Sequence, residues 1–223
     1  MLMFIELSYP IGPRTTVMEA ALKSPEIRPR SRMAEGRHSN TSYIELFAHT
    51  GTHIDAPWHF NDAGRRIMDF HISEFVFSKV LLVDLPAEPW QPIPVDSLKP
   101  YEPWLRTSDA LLIRSGFAGY RLADPELYTE ATPGLSIEAA RYLAGFKELR
   151  CIGVDFISIE NVKKGRETGF PVHHALLDRS EPIILLEDAC LTAAGDSLIS
   201  RLYLFPIRME GLEASPVTAV AEI

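Results

Sequence analysis

Cysteine is scarce in this 223-residue chain: there are two, Cys151 and Cys190, and they form no Cys-x-x-Cys pair. That excludes a thiolate zinc ribbon and a thioredoxin-type redox motif. It leaves two thiols in apolar stretches, which read as core residues. Basic residues are also in deficit, with 22 Lys and Arg against 30 Asp and Glu, a formal charge of −8. Such a chain lacks the positive field that holds a nucleic-acid backbone or an anionic membrane surface. No apolar run approaches the roughly 20 residues of a membrane helix. The opening residues Met1 to Glu6 have no basic region and meet an acid too early for a signal peptide. A reducing cytoplasm is therefore the expected location. Gly/Ser linkers, low-complexity blocks and internal repeats are missing too, so one domain spanning 1–223 is expected.

What is present is ordinary globular material, 46% hydrophobic and 23% charged. A chain of this length hides roughly 70% of its unfolded surface and needs no disulfide to hold a core. Short runs rich in Val, Ile, Leu and Phe, bounded by Pro, Gly, Asp or Ser, predict strands at Met3 to Leu7, Tyr43 to His53, Val80 to Leu85 and Ala110 to Arg114. Three more fall at Cys151 to Ile157, Ile183 to Leu186 and Leu202 to Ile207. Helical signals are fewer. Ser136 can cap a helix running to Leu143, with Glu138 in its first turn and Ile137, Ala140 and Ala144 at helical spacing. Weaker helices are predicted at Val95 to Leu98 and Leu176 to Arg179. Strands outnumber helices without regular alternation, which points to α+β rather than a doubly wound sheet.

Three of the seven histidines fall within eleven residues, in the run His49-Thr50-Gly51-Thr52-His53-Ile54-Asp55-Ala56-Pro57-Trp58-His59-Phe60. If the alternating segment before it continues as a strand, His49, His53 and Asp55 project from one face. Gly51 on that face leaves room between the imidazoles for an ion. Imidazole and carboxylate are donors that zinc, manganese and iron accept, and three protein donors with an open position suit a catalytic metal. A helical i, i+4 reading is opposed by Thr50, Gly51 and Thr52 and by Pro57. His59, beyond the proline, is placed as a proton-transfer group. Trp58 and Phe60 flank it and offer either an apolar wall or simple packing. Asp155, inside an apolar run, needs partners. It either supports the site or binds a neighbouring backbone turn. His38 and His71 read as loop or surface residues.

The run from His49 to Phe60 resembles the signature of the cyclase family, which includes bacterial kynurenine formamidases. Leu7-Ser8-Tyr9-Pro10-Ile11, Leu112 to Gly116, Pro133 to Ser136 and Gly153 to Glu160 are similar to further family segments in the expected order. The last of these ends in Glu160 where the family usually has Asp. The resemblance implies a swivelling β/β/α fold with a mixed β core and few helices. It implies a homodimer or larger homo-oligomer, and one or two divalent metals per subunit, zinc foremost and manganese the alternative. Carried over by position, His49, His53 and Asp55 become metal ligands and His59 the acid/base group. His173, in His173-His174-Ala175-Leu176-Leu177, and Glu187 become the later ligands. The interval between those two is longer than the family pattern, so His174 is the alternative ligand. The N-terminal region has Ser24-Pro25-Glu26 and Arg28-Pro29-Arg30 in place of the Pro-Gly-Asp turn common in the formamidases.

The implied activity is hydrolysis of an amide-type C–N bond in a small, aromatic metabolite by metal-activated water, with N-formylkynurenine as first candidate. No Gly-x-Ser-x-Gly is present, and neither cysteine has a histidine close in sequence. Alternatives using the same site are hydrolysis of a cyclic amide such as isatin, or a cyclisation or dehydration. A non-catalytic, metal-stabilised binding protein is the alternative from another class.

Overall fold

The computed structural model describes residues 3–18 and 22–223. Met1 and Leu2 of the opening segment lie outside the described residues. The strands are β1 (Phe4–Glu6), β2 (Glu26–Ser31), β3 (Thr41–Glu45), β4 (His53–Asp55), β5 (Val76–Phe77), β6 (Val80–Asp84), β7 (Ala110–Arg114), β8 (Cys151–Val154), β9 (Ile184–Glu187), β10 (Arg201–Pro206) and β11 (Ala214–Glu222). The helices are α1 (Val95–Leu98), α2 (Glu102–Leu105), α3 (Tyr120–Ala123), α4 (Pro125–Glu130), α5 (Ile137–Ala144), α6 (Val162–Thr168) and α7 (Pro171–Leu177). None of them is long and apolar enough to cross a membrane.

One mixed sheet runs β5-β10-β11-β4-β9-β8-β7-β6, with β1 added to β11, while β2 and β3 form a separate ribbon. Strands β6 to β9 are parallel to one another, and β4, β10 and β11 join antiparallel. The class is α+β with a mixed β core, as the irregular order of elements predicts.

The parallel strands are covered on both faces, which is why they read as unbroken apolar runs. In β7, Leu111 and Ile113 face the helices while Ala110 and Leu112 face the second core. In β9, Leu185 takes the first side and Ile184 and Leu186 the second. The helix-side core packs this sheet against α5 and α7, and the other lies among β4, β10, β11 and the 67–77 segment. Gly153 in β8 is required there, because a Cβ would sit 2.5 Å from Leu112 Cδ2 and 3.1 Å from Leu186 Cδ2.

The α5 expectation holds, with Ser136 Oγ accepting from the Ala139 N–H at 3.1 Å. Three expectations are corrected. The single strand expected over Tyr43 to His53 is instead two strands, β3 ending at Glu45 in the ribbon and β4 starting at His53 in the main sheet, with Gly51 at φ 63 turning the chain between them. The helix expected at Leu176 to Arg179 lies earlier, over Pro171–Leu177, started by Pro171 at its first position. The strand expected to reach Ile157 ends at Val154, where the chain leaves the ladder. Cys151 is buried and Cys190 half-buried, both as free thiols. His38 and His71 are exposed, as expected of loop residues.

Candidate metal centre

Strands β4 and β9 pair antiparallel with His53 opposite Glu187, and this register brings two chemically distinct segments to one point. His53 Nε2 lies 3.4 Å from Glu187 Oε2 and 3.5 Å from Asp55 Oδ1. Across the turn at Gly51, His49 reaches back from its loop, and its Nδ1 lies 2.8 Å from Asp55 Oδ1. The convergence of His49, His53 and Asp55 thus arises from a turn rather than from one face of a strand. His59 sits in the short 3-10 turn Pro57–His59, its Nε2 3.7 Å from Asp55 Oδ2. His173 approaches from α7, its Nε2 3.7 Å from Glu187 Oε1. His174, one residue on, is exposed and bonds Asp178 through Nδ1 at 2.9 Å. Of the two alternatives, His173 is the one the fold brings to the cluster.

Several partners orient these groups. His53 Nδ1–H donates to the Gly51 carbonyl at 2.8 Å, which turns Nε2 and its lone pair inward. Glu160 accepts from His173 Nδ1–H at 2.9 Å and from the backbone N–H groups of His173 and Val172. Glu187 accepts from the Ile159 N–H at 2.7 Å and the Ser158 hydroxyl at 3.2 Å. Glu213 lies 3.2 Å from His49 Nε2. Glu160, Ser158 and Glu213 were missed from sequence. Only the departure of Glu160 from the family pattern offered a signal. Of the two alternatives for Asp155, the fold realises the second, the neighbouring backbone turn. Its carboxylate accepts from the N–H groups of Ser115 and Gly116, each at 2.9 Å, and from the Ser115 hydroxyl, so it ties the turn after β7.

Burial opposes charge on His49, yet Asp55 and Glu213 outweigh it and push the imidazole up to about 10. Burial likewise opposes charge on His173, and Glu160 and Glu187 raise it to about 9. Burial and Asp55 both work to raise Glu187, but His173 and His53 hold it down at about 2. Asp55, which burial alone would raise, is held well below the carboxylate range by His49 and His59. His59 goes the other way. Burial pushes it down to about 4 against the pull of Asp55, helped by its neighbours His49 and His173.

Among the described residues of the cluster, three buried side-chain atoms have no hydrogen-bond partner: Nε2 of His53 and both oxygens of Asp55. The short His49–Asp55 approach satisfies neither oxygen as a hydrogen bond. Leaving such groups unpaired is costly, so the site is built for something that binds them. Among the described residues, two sets of donors lie within 4.8 Å of one another, His49/Asp55/His59 and His53/Asp55/Glu187, with Asp55 shared. Imidazole nitrogen with carboxylate oxygen is a donor set for zinc, manganese or iron, and these residues fit a divalent cation.

The cluster opens into a cleft of about 190 Å³, walled by Phe47, Phe60 and Phe170 with Met18, Leu22 and Val162. Phe60 both lines it and stacks on His173, ring centroids 4.4 Å apart. Trp58 takes no part in the wall and instead carries the Arg66 guanidinium on its ring.

Fold and site together define an α+β protein with a His/carboxylate centre at the end of a mixed sheet. Residues 5–161 match the family model described as putative cyclase, and the chain belongs to the cyclase family. The kynurenine formamidase of Geobacillus thermodenitrificans (strain NG80-2) is 29% identical over 195 residues, covering 86% of this chain and 84% of the relative. Cyclase-like protein 2 of Oryza sativa subsp. japonica is 27% identical over 204 residues, 87% of this chain and 69% of the relative. An isatin hydrolase solved with the product analogue thioisatinate shares the fold with a TM-score of 0.83 at 20% identity, covering 100% of this chain and 92% of that one. The structure of a predicted metal-dependent hydrolase from Bacillus stearothermophilus matches at TM-score 0.73 and 22% identity, covering 100% of this chain and 98% of that one.

Proposed function

We propose that this chain is a metal-dependent hydrolase of an amide-type C–N bond in a small aromatic metabolite. N-formylkynurenine, cleaved to kynurenine and formate, is the first candidate substrate. The carrying observation is the set of partnerless buried donors on Asp55 and His53, beside His59 at the cleft. The kynurenine formamidase relatives support the substrate class. We propose a reducing cytoplasm as the setting, in keeping with the two free thiols.

A divalent ion held here, zinc first and manganese second, would bring the pKa of bound water towards about 7 and polarise a carbonyl. His49, His53, Asp55, His173 and Glu187 are the residues to hold one such ion, or two sharing Asp55. Gly51 and Glu160 fix the rings of His53 and His173 with their Nε2 atoms turned inward. His59 is read as the proton carrier. Its side chain is 26% exposed, against 4% for His49 and His173, and its depressed pKa leaves it neutral at pH 7. In the neutral form, Nε2 takes a proton from the attacking water and returns it to the departing nitrogen. The sum is water divided across the C–N bond, hydroxyl to the carbonyl carbon and hydrogen to nitrogen. Phe47, Phe60 and Phe170 exclude water from an aromatic substrate and stack against it.

The test is formate release from N-formylkynurenine by fully metallated protein, alongside a panel of lactams and esters. Turnover of the formamide supports the reading, and its absence rejects that substrate. Ring opening of isatin instead would favour the cyclic-amide reading, which the isatin hydrolase fold supports. A non-catalytic metal protein would lose its fold on chelation and turn over nothing in the panel.

We also infer a homodimer or larger homo-oligomer. The β2–β3 ribbon exposes Ile27, Tyr43 and Ile44, and an isolated two-stranded ribbon is marginal in water. A monomer by light scattering rejects this.

A further inference from the structure

Behind the cluster lies a second buried polar group that the proposed chemistry does not use. Asp188 follows Glu187 directly and is 1% exposed. Its φ of 52 is in the left-handed region, uncommon for a residue with a side chain. Its carboxylate accepts two parallel bonds from Arg121 of α3, from Nε at 2.7 Å and Nη2 at 2.8 Å. The Tyr128 hydroxyl of α4 adds a third at 2.6 Å. Arg121 itself is buried and lies over the Tyr9 ring, 3.9 Å from its centroid.

The backbone of Asp188 is engaged as fully as its side chain. Its N–H donates to the Phe156 carbonyl at 2.9 Å. Its carbonyl accepts from the Thr52 hydroxyl at 2.6 Å, and that hydroxyl accepts the Tyr9 N–H at 3.0 Å. Thr52 precedes His53, and His53 faces Glu187 across the β4–β9 ladder. One residue therefore grips the ends of both strands that carry the facing donors. A buried ion pair is a poor source of stability compared with apolar packing, so its use here calls for a geometric reason.

We propose that Asp188, clamped by Arg121 and Tyr128, is a positioning residue that sets Glu187 and, through Thr52, His53 at the separation a divalent ion requires. The clamp touches no reacting atom and acts through those two side chains. This inference rests on the metal-centre reading above and names the residues that preset it.

Cobalt(II) is the probe, because its visible bands report ligand geometry while calorimetry reports affinity. Three chains are compared: the wild type, Tyr128→Phe, and the Arg121→Met/Asp188→Asn double variant, which leaves no lone buried charge. Far-UV circular dichroism establishes folding. The expected result is a folded double variant that binds Co2+ about tenfold or more weakly with shifted visible bands. Tyr128→Phe should shift affinity and bands in the same direction by less. If the double variant does not fold, Tyr128→Phe decides alone. Wild-type affinity and an unshifted spectrum in whichever folded variant is decisive would overturn the clamp, whatever its Tm. A wild type that binds no Co2+ overturns the metal-centre reading itself and the clamp with it, an outcome distinct from a variant that binds normally.

Discussion

Glu160 holds His173 at two points, its Oε2 accepting the backbone N–H at 3.1 Å and the ring Nδ1–H at 2.9 Å. The ring is thereby fixed with Nε2 towards Glu187, and Phe60 stacked on its face prevents rotation. Glu160→Ala should cost about 10- to 100-fold in metal affinity, the usual range for loss of an outer carboxylate on a ligating imidazole. Glu160→Gln, which keeps one acceptor oxygen, should cost less. Calorimetric titration with zinc checks both, and an unchanged affinity in the alanine variant would remove His173 from the site.

His59 should behave differently from the other three histidines of the cluster. His59→Ala is expected to retain metal while kcat on the true substrate drops roughly 10²–10⁴-fold. Because burial holds the His59 imidazole below its ordinary range and it must be neutral to accept a proton, its contribution to turnover is lost on the acid side of the profile. Metal analysis of the variant with a kcat–pH profile of both proteins is the measurement. Unchanged kcat, or loss of metal with the imidazole, would contradict the proton-carrying role.

Removing metal should make stability depend on pH in a specific way. His49 and His173 rise from 6.5 to about 10 and about 9 in the folded chain, so their stabilisation is complete below pH 6.5 and is lost as pH climbs through 9 to 10. His59 falls from 6.5 to about 4, so its contribution is present above 6.5 and lost as pH drops through 4. Glu187, lowered from 4.5 to about 2, adds stability above 4.5 that disappears towards pH 2. The metal-free protein should therefore melt highest near pH 6.5 and lower towards pH 9. Metal takes the place of the imidazole protons, so the loaded protein should not show the alkaline decline, and loading at pH 7 should release protons. Thermal melts across pH with and without chelator, and titrations in buffers of different ionisation enthalpy, are the checks.

Gly153→Ala should destabilise the sheet without touching the site. The added methyl meets Leu112 and Leu186 inside the second core, and overpacking of this kind costs about 1–3 kcal/mol. Urea unfolding should show the midpoint lowered at unchanged slope. A neutral effect would mean that β7 and β9 yield more readily than their packing indicates.

Much of the fold was readable because apolar runs flanked by turn residues identify strands buried on both faces. Ala110–Arg114 was placed to the residue, and Ser136 marked the start of α5 through its cap. β11 was not anticipated, although Val217, Ala219 and Ala221 alternate, because Pro216 and the small alanines weaken the strand signal. α6 was hidden by Gly165, a poor helix former that is there because the Phe170 ring occupies the space of a Cβ. Local preference was overridden by packing in both cases.

The site divides along the same line. The residues from His49 to Phe60 determined by themselves which donor types would meet and that the chemistry would be that of imidazole and carboxylate, since side-chain chemistry does not depend on the fold. Sequence also placed His59 beyond the donors, after a proline that starts its turn. Tertiary structure decided the rest. It selected His173 over His174, because α7 begins at Pro171 and points one of the pair inward. It gave Glu160 and Glu213 their parts and made Asp155 a backbone brace. These relations join residues from 13 to 164 positions apart, through the β4–β9 register and the docking of α7. Linear spacing cannot encode them, because only the closed core brings those segments within hydrogen-bond reach.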